Sequence, residues 1–482
     1  MTQGAGMNIR SLAGNAAVAF AAQGVSLLAS VAMSLIVPKV LGVTTYGYWQ
    51  LFVFYTSYSG LFQFGLNDGV YLIEGGKTRD EINKKAVNCQ FSFGALMQLV
   101  VSTCIVAIAV FTATEPERFL VLVAFGIYTF IFNLQGFLGY LFQAMNETKL
   151  YSFASIIERT IFLIAMFVLV ALRVESFVPY IVLYAASKTI SLGYCAWCAR
   201  DFLSSGCFEL RQTLSRAIGS IKVGIGLMIA NVASMLILGV MRLMIDNAWG
   251  IEVFGRVSFA LSMVSFFITF VSQASMVLFP ALRQGTDAER RAFYRAVRNM
   301  MELILPVVYL LYFPMVAVLS LWLPQYASSM IYFAFLLPIC VFDTKMDICC
   351  TTYFKVLRKE RLLLVVNVVT CVCSAIASLV GIYLLGSLEA VLAGVVACII
   401  GRSIWSEGYL NKHLKVAGGA IAFEEVVITI AFVLFSTQMP GISAFASYAI
   451  FYLIYLIANR DVASELVHQI NRLVLSRKTM NK

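Results

Sequence analysis

Charge is what this sequence has least of. Asp, Glu, Lys and Arg make up 12% of its 482 residues, while 61% are hydrophobic. Soluble domains carry about 25% charged residues. So much apolar surface cannot be hidden inside a water-soluble fold, which excludes a globular enzyme or carrier protein. Histidine is nearly missing too: His413 and His468 are the only two, far apart in sequence. No H-E-x-x-H, G-x-S-x-G, P-loop or G-x-G-x-x-G context occurs, so hydrolytic and metal chemistry find no support and no cofactor or metal is expected. The expected outer loops hold no cysteine, which rules out a disulfide framework. Cys195 and Cys198 form a C-x-x-C, but inside an apolar helix they read as small hydrophobes rather than a redox or metal pair. A cleavable leader is not expected either. The apolar stretch after Arg10, from Ser11 to Val37, is too long for one and reads as a retained first helix.

What fills the chain instead is long, unbroken apolar runs such as Phe119–Gln143 and Leu362–Leu385. Runs of about 20 such residues mean membrane-spanning helices. Strands of a membrane barrel would alternate apolar and polar residues. The fold class is therefore an all-α integral membrane protein with about fourteen spans. Their expected bounds are 11–37, 49–73, 88–112, 118–144, 152–172, 177–199, 221–246, 254–282, 300–323, 328–352, 362–385, 389–411, 420–437 and 442–459. Turn residues separate them, as at Glu115-Pro116, Asn146-Glu147-Thr148, Gly418-Gly419 and Pro440-Gly441.

Orientation follows from the basic residues. With the N-terminus inside, 26 of the 35 lysines and arginines fall in cytoplasmic segments. The outer connections hold Lys39, Arg118 and Arg173, with Arg242 and Arg256 at outward helix edges. This bias places both termini in the cytoplasm. It also accounts for the net charge of +10 without nucleic acid as a partner. The expected domains are a six-helix bundle over 1–199, a cytoplasmic linker over 200–220 and a second six-helix bundle over 221–411. Helices 13 and 14 cover 412–459, and a basic tail covers 460–482. Residues 200–220 and 284–299 read as basic helical connectors. The tail, with Val462, Leu466, Val467, Ile470, Leu473 and Val474 at helical spacing, is expected to lie along the inner membrane face.

The two halves carry a short echo. Tyr46-Gly47 opens the second span and Phe254-Gly255 opens the eighth, 208 residues apart, each after a basic residue on the outer side. Parallel repeats of this kind are common in transporters, whose substrate site lies between the halves.

Charges inside spans are costly and have either a partner or a task. The set is Asp68, Glu158, Arg159, Lys188, Arg242, Asp246, Arg256, Glu302, Asp343, Lys345, Asp347 and Arg402. Lys188 and Arg402 fall nearest the midplane, and Arg159 about two turns in from the inner side. One reading pairs them: Arg242 with Asp246 one turn on, and Glu158 or Asp343 with a basic residue on a neighbouring helix. The other lines a hydrated cationic cavity for a phosphate-bearing substrate with Lys39, Arg159, Lys188, Arg242, Arg256, Lys345 and Arg402. Asp68 and Asp343 are then the candidates for carrying a coupling ion. In Phe64-Gly65-Leu66-Asn67-Asp68-Gly69, two glycines four apart either loosen the helix or admit another helix closely, close packing being the stronger reading.

Several motifs occur in an order that resembles one family. They are Asn15 leading to Val37-Pro38-Lys39-Val40-Leu41-Gly42, Tyr46-Gly47-Tyr48-Trp49, the Phe64–Gly69 stretch, and Gln143-Ala144-Met145-Asn146-Glu147. Phe279-Pro280-Ala281-Leu282 and Leu321-Trp322-Leu323-Pro324-Gln325-Tyr326 follow. Over nearly its whole length the chain resembles the polysaccharide-export branch of the multidrug/oligosaccharidyl-lipid/polysaccharide (MOP) exporter superfamily, the Wzx-type O-antigen flippases. That resemblance implies two six-helix bundles in a V shape plus two C-terminal helices, working by alternating access. It implies an undecaprenyl-diphosphate-linked oligosaccharide as cargo, membrane lipids and glycan polymerase or ligase proteins as partners, and a proton or sodium as coupling ion. It also implies residence in the bacterial inner membrane. Family cavities are lined mainly by helices 1, 2, 7 and 8, which favours Lys39, Asp68, Arg242 and Arg256 over Lys188 and Arg402. Where family members often carry Arg near the end of helix 1, this chain has Lys39, a point charge rather than a bidentate fork.

Two other classes compete. A drug or metabolite antiporter of the same superfamily would prefer twelve helices and a more acidic or aromatic pocket. A glycan polymerase or ligase would need a large outer loop with catalytic residues, yet every outer connection is under about fifteen residues. A non-enzymatic flippase is the expectation.

Overall fold

The computed structural model describes residues 9–206, 210–284, 287–416 and 420–460, with 462 and 464. Every regular element among them is helical: α1 (Ile9–Leu35), α2 (Val37–Ser57), α3 (Leu66–Glu74), α4 (Lys84–Thr112), α5 (Pro116–Ala144), α6 (Thr148–Ala171), α7 (Phe177–Cys198), α8 (Arg200–Leu203), α9 (Leu210–Gln284), α10 (Asp287–Ile304), α11 (Val307–Trp322), α12 (Ser329–Leu336), α13 (Pro338–Lys345), α14 (Thr352–Val356), α15 (Glu360–Leu379), α16 (Leu388–Leu414), α17 (Ala420–Gln438) and α18 (Gly441–Ala458). Among the described residues, by length and composition alone, eight helices suffice to cross a membrane, or nine if the bent pair α1–α2 is one span. Each of the fourteen expected stretches is predominantly helical where described. The basic tail beyond Arg460 lies outside the described residues but for 462 and 464.

Several spans depart from simple rods, the ninth among them, which is broken at Leu305-Pro306 between α10 and α11. The second, expected over 49–73, begins at Val37 and is interrupted at Ser59–Gly65 between α2 and α3. The seventh and eighth share one helical path, α9, interrupted at Gly250. The tenth is divided into α12, α13, a widened π turn over Met346–Thr351, and α14. Helices can be cut in this way inside a membrane only where neighbours satisfy the freed backbone groups.

Two interruptions are equivalent. Gly42 has φ 70° and ψ 176°, and Gly250 has φ 80° and ψ −178°. That backbone region is essentially open to glycine alone. The two positions are 208 residues apart, the offset that separates Tyr46-Gly47 from Phe254-Gly255. The echo in sequence is therefore an echo in backbone.

The chain divides into two compact units, Met1–Val232 and Ala233–Lys482. In the first, α5 is the hub, packed against α2, α3, α4, α6 and α7. Its core joins Leu66, Val70, Phe137, Leu141 and Phe142. An aromatic cluster of Trp49, Phe52, Tyr128, Phe162 and Tyr184 fills another part. In the second unit α16 is the hub, packed against α12, α13 and α15. Tyr309, Tyr312, Phe432 and Tyr448 tie α11 to α17 and α18.

Candidate functional site

The interruption at Ser59–Gly65 organises the polar interior of the first unit. Phe64 and Gly65 both adopt left-handed backbone, with φ 52° and 86°. The break frees carbonyls, and side-chain amides from α4 and α5 meet them. Asn133 Nδ2 donates to Ser59 O at 2.9 Å and to Gln98 Oε1 at 2.9 Å. Gln98 Nε2 donates to Phe62 O at 2.7 Å. Gln63 then bridges: its Oε1 accepts from the Asn67 N–H at 2.8 Å and its Nε2 donates to Asp68 Oδ2 at 2.7 Å. Asp68 is 2% exposed and sits in the first turn of α3, where helix N-terminal N–H groups favour a negative charge.

Both glycines flanking this motif are packing positions. A Cβ on Gly69 would collide with the backbone of Ser220, and one on Gly224 with the backbone of Gly65 and Gly69. The Gly65/Gly69 face of α3 thus meets the Ser220/Gly224 face of α9 with no room for a methyl group, as small-residue helix crossings in membranes require.

The other expected residues of this unit lie apart from Asp68. Lys39 is exposed on the first turn of α2, beside the 68° bend from α1. Lys188, on α7, is buried; its ammonium donates to Glu158 Oε2 at 2.9 Å and lies 4.9 Å from the Phe132 ring centre. Arg159, one residue from Glu158 on α6, lies beside Tyr184. Lys188 and Glu158 therefore form a one-to-one buried ion pair. On the basic-loop side, Arg79 grips Glu147 through two hydrogen bonds of 3.0 and 2.8 Å and also reaches Asp201 at 2.8 Å. Lys84 joins Asp201 at 2.8 Å. Burial alone would raise the Asp201 carboxyl, but the hydrogen bond from Lys84 and the charges of Arg79 and Lys84 hold it below its ordinary range.

In the second unit Arg242 donates to Ser258 Oγ at 2.8 Å and lies 5.0 Å from the Phe254 ring centre, across the Gly250 interruption. Arg256 pairs with Glu252 one turn back at 2.7 Å and contacts the Ser328 hydroxyl. Arg402 and Asp343, placed in different roles by the sequence, meet each other in a close ion pair, and Arg402 also donates to Asn367 Oδ1 at 3.2 Å. Lys188 and Arg402, candidates for a cationic lining, thus each face a carboxylate within their own unit.

One constellation escaped sequence reasoning. The Lys345 ammonium lies 3.1 Å from Glu302, 2.7 Å from Glu407 and 2.7 Å from Glu425. Arg298 lies 3.6 Å from Glu302 and 3.8 Å from Glu407. All five are at most 4% exposed. Glu302 and Lys345 stand out among charges within spans, but Glu407 and Glu425 sit near span ends, where carboxylates look ordinary. The available signal was Glu407 with Asn411 one turn on, on the same side of α16. A second unread signal is Tyr448, Tyr452 and Tyr455 on one stripe of α18. Their hydroxyls donate to the carbonyls of Pro306, Leu303 and Glu302 at 3.0, 2.7 and 3.0 Å. Pro306 has no N–H, so the turn before it leaves acceptors open.

This arrangement binds charge and holds broken helices. Among the described residues no group of His, Cys, Asp and Glu is set to hold a metal ion, and the described cysteines are free thiols.

Comparison with known proteins bears on what such a fold is used for. No curated protein matches the sequence. Among solved structures, the chain is similar to the lipid II flippase MurJ in an inward closed conformation, with TM-score 0.63 and 11% identity, covering 93% of this chain and 99% of that one. It is similar to an inward-facing multidrug resistance MATE family transporter of the MOP superfamily, with TM-score 0.61 and 11% identity, covering 80% of this chain and 96% of that one. The fold is therefore that of MOP superfamily transporters, a multi-pass membrane architecture. The family model described as polysaccharide biosynthesis protein matches residues 12–286. That match takes in more than half of the sequence, and the chain accordingly belongs to the polysaccharide biosynthesis protein family.

Proposed function

We propose that this protein is a flippase. It moves an undecaprenyl-diphosphate-linked oligosaccharide, an O-antigen or capsule or exopolysaccharide repeat unit, from the cytoplasmic to the outer leaflet of a bacterial inner membrane. It works by alternating access, with both termini in the cytoplasm. The observation that carries this reading is the coincidence of a polysaccharide-biosynthesis family match with a fold shared along 99% of a lipid II flippase. A prenyl diphosphate keeps its tail in the bilayer while its head crosses, so the protein must offer the head cations at bilayer depth.

We assign the diphosphate contacts to Arg242 and Arg256. Arg242 is held in orientation by Ser258 and the Phe254 ring. The partner of Arg256, Glu252, has a side chain 54% exposed, and such an ion pair is weak enough to exchange for a phosphate. Bidentate geometry suits both arginines to the task. Asp68, at a helix break, and Asp343, beside Arg402, are assigned to ion coupling, with proton or sodium as the ion. Glycan polymerase or ligase proteins acting on the delivered repeat unit are the partners proposed.

A second reading, an ion-coupled drug or metabolite antiporter, is favoured by the likeness to the MATE transporter. Deletion in the native host separates the two. The flippase reading predicts lipid-linked repeat units accumulating on the cytoplasmic leaflet; unchanged export without accumulation refutes it. Arg242→Glu and Arg256→Glu are each expected to abolish export while folded protein is retained. Normal export by both refutes the residue assignment alone.

A further inference from the structure

The five-residue cluster around Lys345 does not balance. Lys345 and Arg298 supply two positive charges; Glu302, Glu407 and Glu425 supply three negative ones. None of the five is more than 4% exposed, and Glu425 is 0%. An uncompensated charge in a dry interior is strongly disfavoured, and in practice the group changes its protonation state instead. Among the described residues the surroundings add no further balancing cation. Tyr294 on α10, Tyr309 on α11, Tyr455 on α18 and the Cys349 and Cys350 thiols face the cluster. Glu424 adds another carboxylate, engaged by Asn459 at 2.7 Å. Arg402, the next cation, is committed to Asp343. Three carboxylate oxygens of the cluster, Glu302 Oε2, Glu407 Oε2 and Glu425 Oε1, are buried without a well-aligned hydrogen-bond donor among the described residues. Carboxylate oxygens buried without donors are costly to keep charged.

We infer that the Lys345–Arg298–Glu302–Glu407–Glu425 cluster is a proton-binding site that holds one proton among its three carboxyls. A metal cation is the wrong occupant, because the Lys345 ammonium already stands within 3.1 Å of all three carboxylates. The proton joins one carboxylate oxygen and takes the set from three negative charges to two, matching the two cations. The cluster joins α10, α13, α16 and α17. Release of its proton therefore leaves one excess negative charge at the point where α17 is tied to the rest of the unit. This holds whatever the cargo is.

Infrared spectra of the purified full-length protein, taken in deuterated water at neutral pH, read neutral carboxyls directly. The wild type is expected to show a protonated-carboxyl band that exchanges slowly. It should survive Asp68→Asn and Glu158→Gln. Glu302→Gln, Glu407→Gln and Glu425→Gln should each remove the same band, one carboxyl in size, because losing any one of the three leaves two charges of each sign. If one variant fails to fold, the others report the same quantity. A wild type without a slowly exchanging neutral carboxyl overturns the proposal. So does the band's persistence in any folded variant of the three, or its loss in Asp68→Asn. A band that appears only when sodium is withdrawn also overturns it, since sodium would then be the ion held.

Discussion

In the N-terminal unit the break at Ser59–Gly65 gives its carbonyls to amides, Asn133 and Gln98. In the C-terminal unit the break at Pro306 gives its carbonyls to three phenols aligned on α18. The units differ in charge as well. The first buries Lys188 and Glu158 as a matched pair, while the second buries two cations among three carboxylates. Both begin with the same glycine interruption, Gly42 and Gly250. The comparison separates what the two halves share, a backbone plan with interrupted helices, from what each adds for itself.

The largest expected effect contrasts the two lysines. Lys345→Met strips the common partner from three buried carboxylates, and removing one side of a buried ion pair costs about 3–5 kcal/mol. The loss here should reach or exceed that range, read as lower yield of monodisperse protein and a lower unfolding midpoint. Lys188→Met leaves a single orphaned carboxylate, and replacing both members, Lys188→Met with Glu158→Leu, should recover most of the loss. No single second substitution should recover Lys345→Met. If one does, the contrast between a matched pair and a shared cluster is lost.

Next come the glycines. Gly42→Ala and Gly250→Ala meet no steric obstacle, since nothing lies within 4 Å of an added Cβ at either place. The cost is purely conformational, about 1–3 kcal/mol at each site. Equal losses in unfolding free energy sharpen the equivalence; a loss at one site alone breaks it. Asn133→Leu should cost about 1–3 kcal/mol by leaving buried acceptors open, and Tyr452→Phe about 1 kcal/mol. Equal costs would deny that the amide, with two acceptors, does more than one phenol.

The smallest effect is a pH response confined to the first unit. Asp201 is held below its ordinary range by Lys84 and Arg79. Its contribution is present above the pKa of the unfolded chain and is lost as pH falls through the lower folded value. Acid below the ordinary carboxylate range should therefore loosen the Arg79–Asp201–Lys84 contacts, seen as a loss of amide-exchange protection near residues 79–84 and 200–203, while mild acid leaves them intact. Asp201→Asn should remove that pH dependence.

Much of this was legible in the sequence. Scarce charge and long apolar runs specify membrane helices, and Tyr46-Gly47 with Phe254-Gly255 exposed the repeat. The two glycines around Asp68 pointed to close packing, which Ser220 and Gly224 supply. Partners were not legible, because pairing across helices is not a property of local sequence. Lys188 and Glu158 are 30 residues apart, Lys345 and Glu425 are 80 apart, and only the fold brings them together. Helix interruptions escaped for a related reason. Leu305-Pro306 and Ser59–Gly65 sit inside apolar stretches whose hydropathy is the same bent or straight, so the second span was drawn as one rod. The tyrosine stripe on α18 carries no signature in local hydropathy, because its acceptors at Glu302, Leu303 and Pro306 lie far away in sequence.

The central claim is that this chain carries a lipid-linked saccharide across the bilayer, and vesicles containing the purified full-length protein test it most directly. Undecaprenyl-diphosphate-linked oligosaccharide with a fluorescent sugar is placed in both leaflets, and a reductant that cannot cross the membrane is added outside. The account predicts that the pool protected in empty vesicles becomes accessible when the protein is present and stays protected with Arg242→Glu. A pool equally protected with and without the wild-type protein would contradict it.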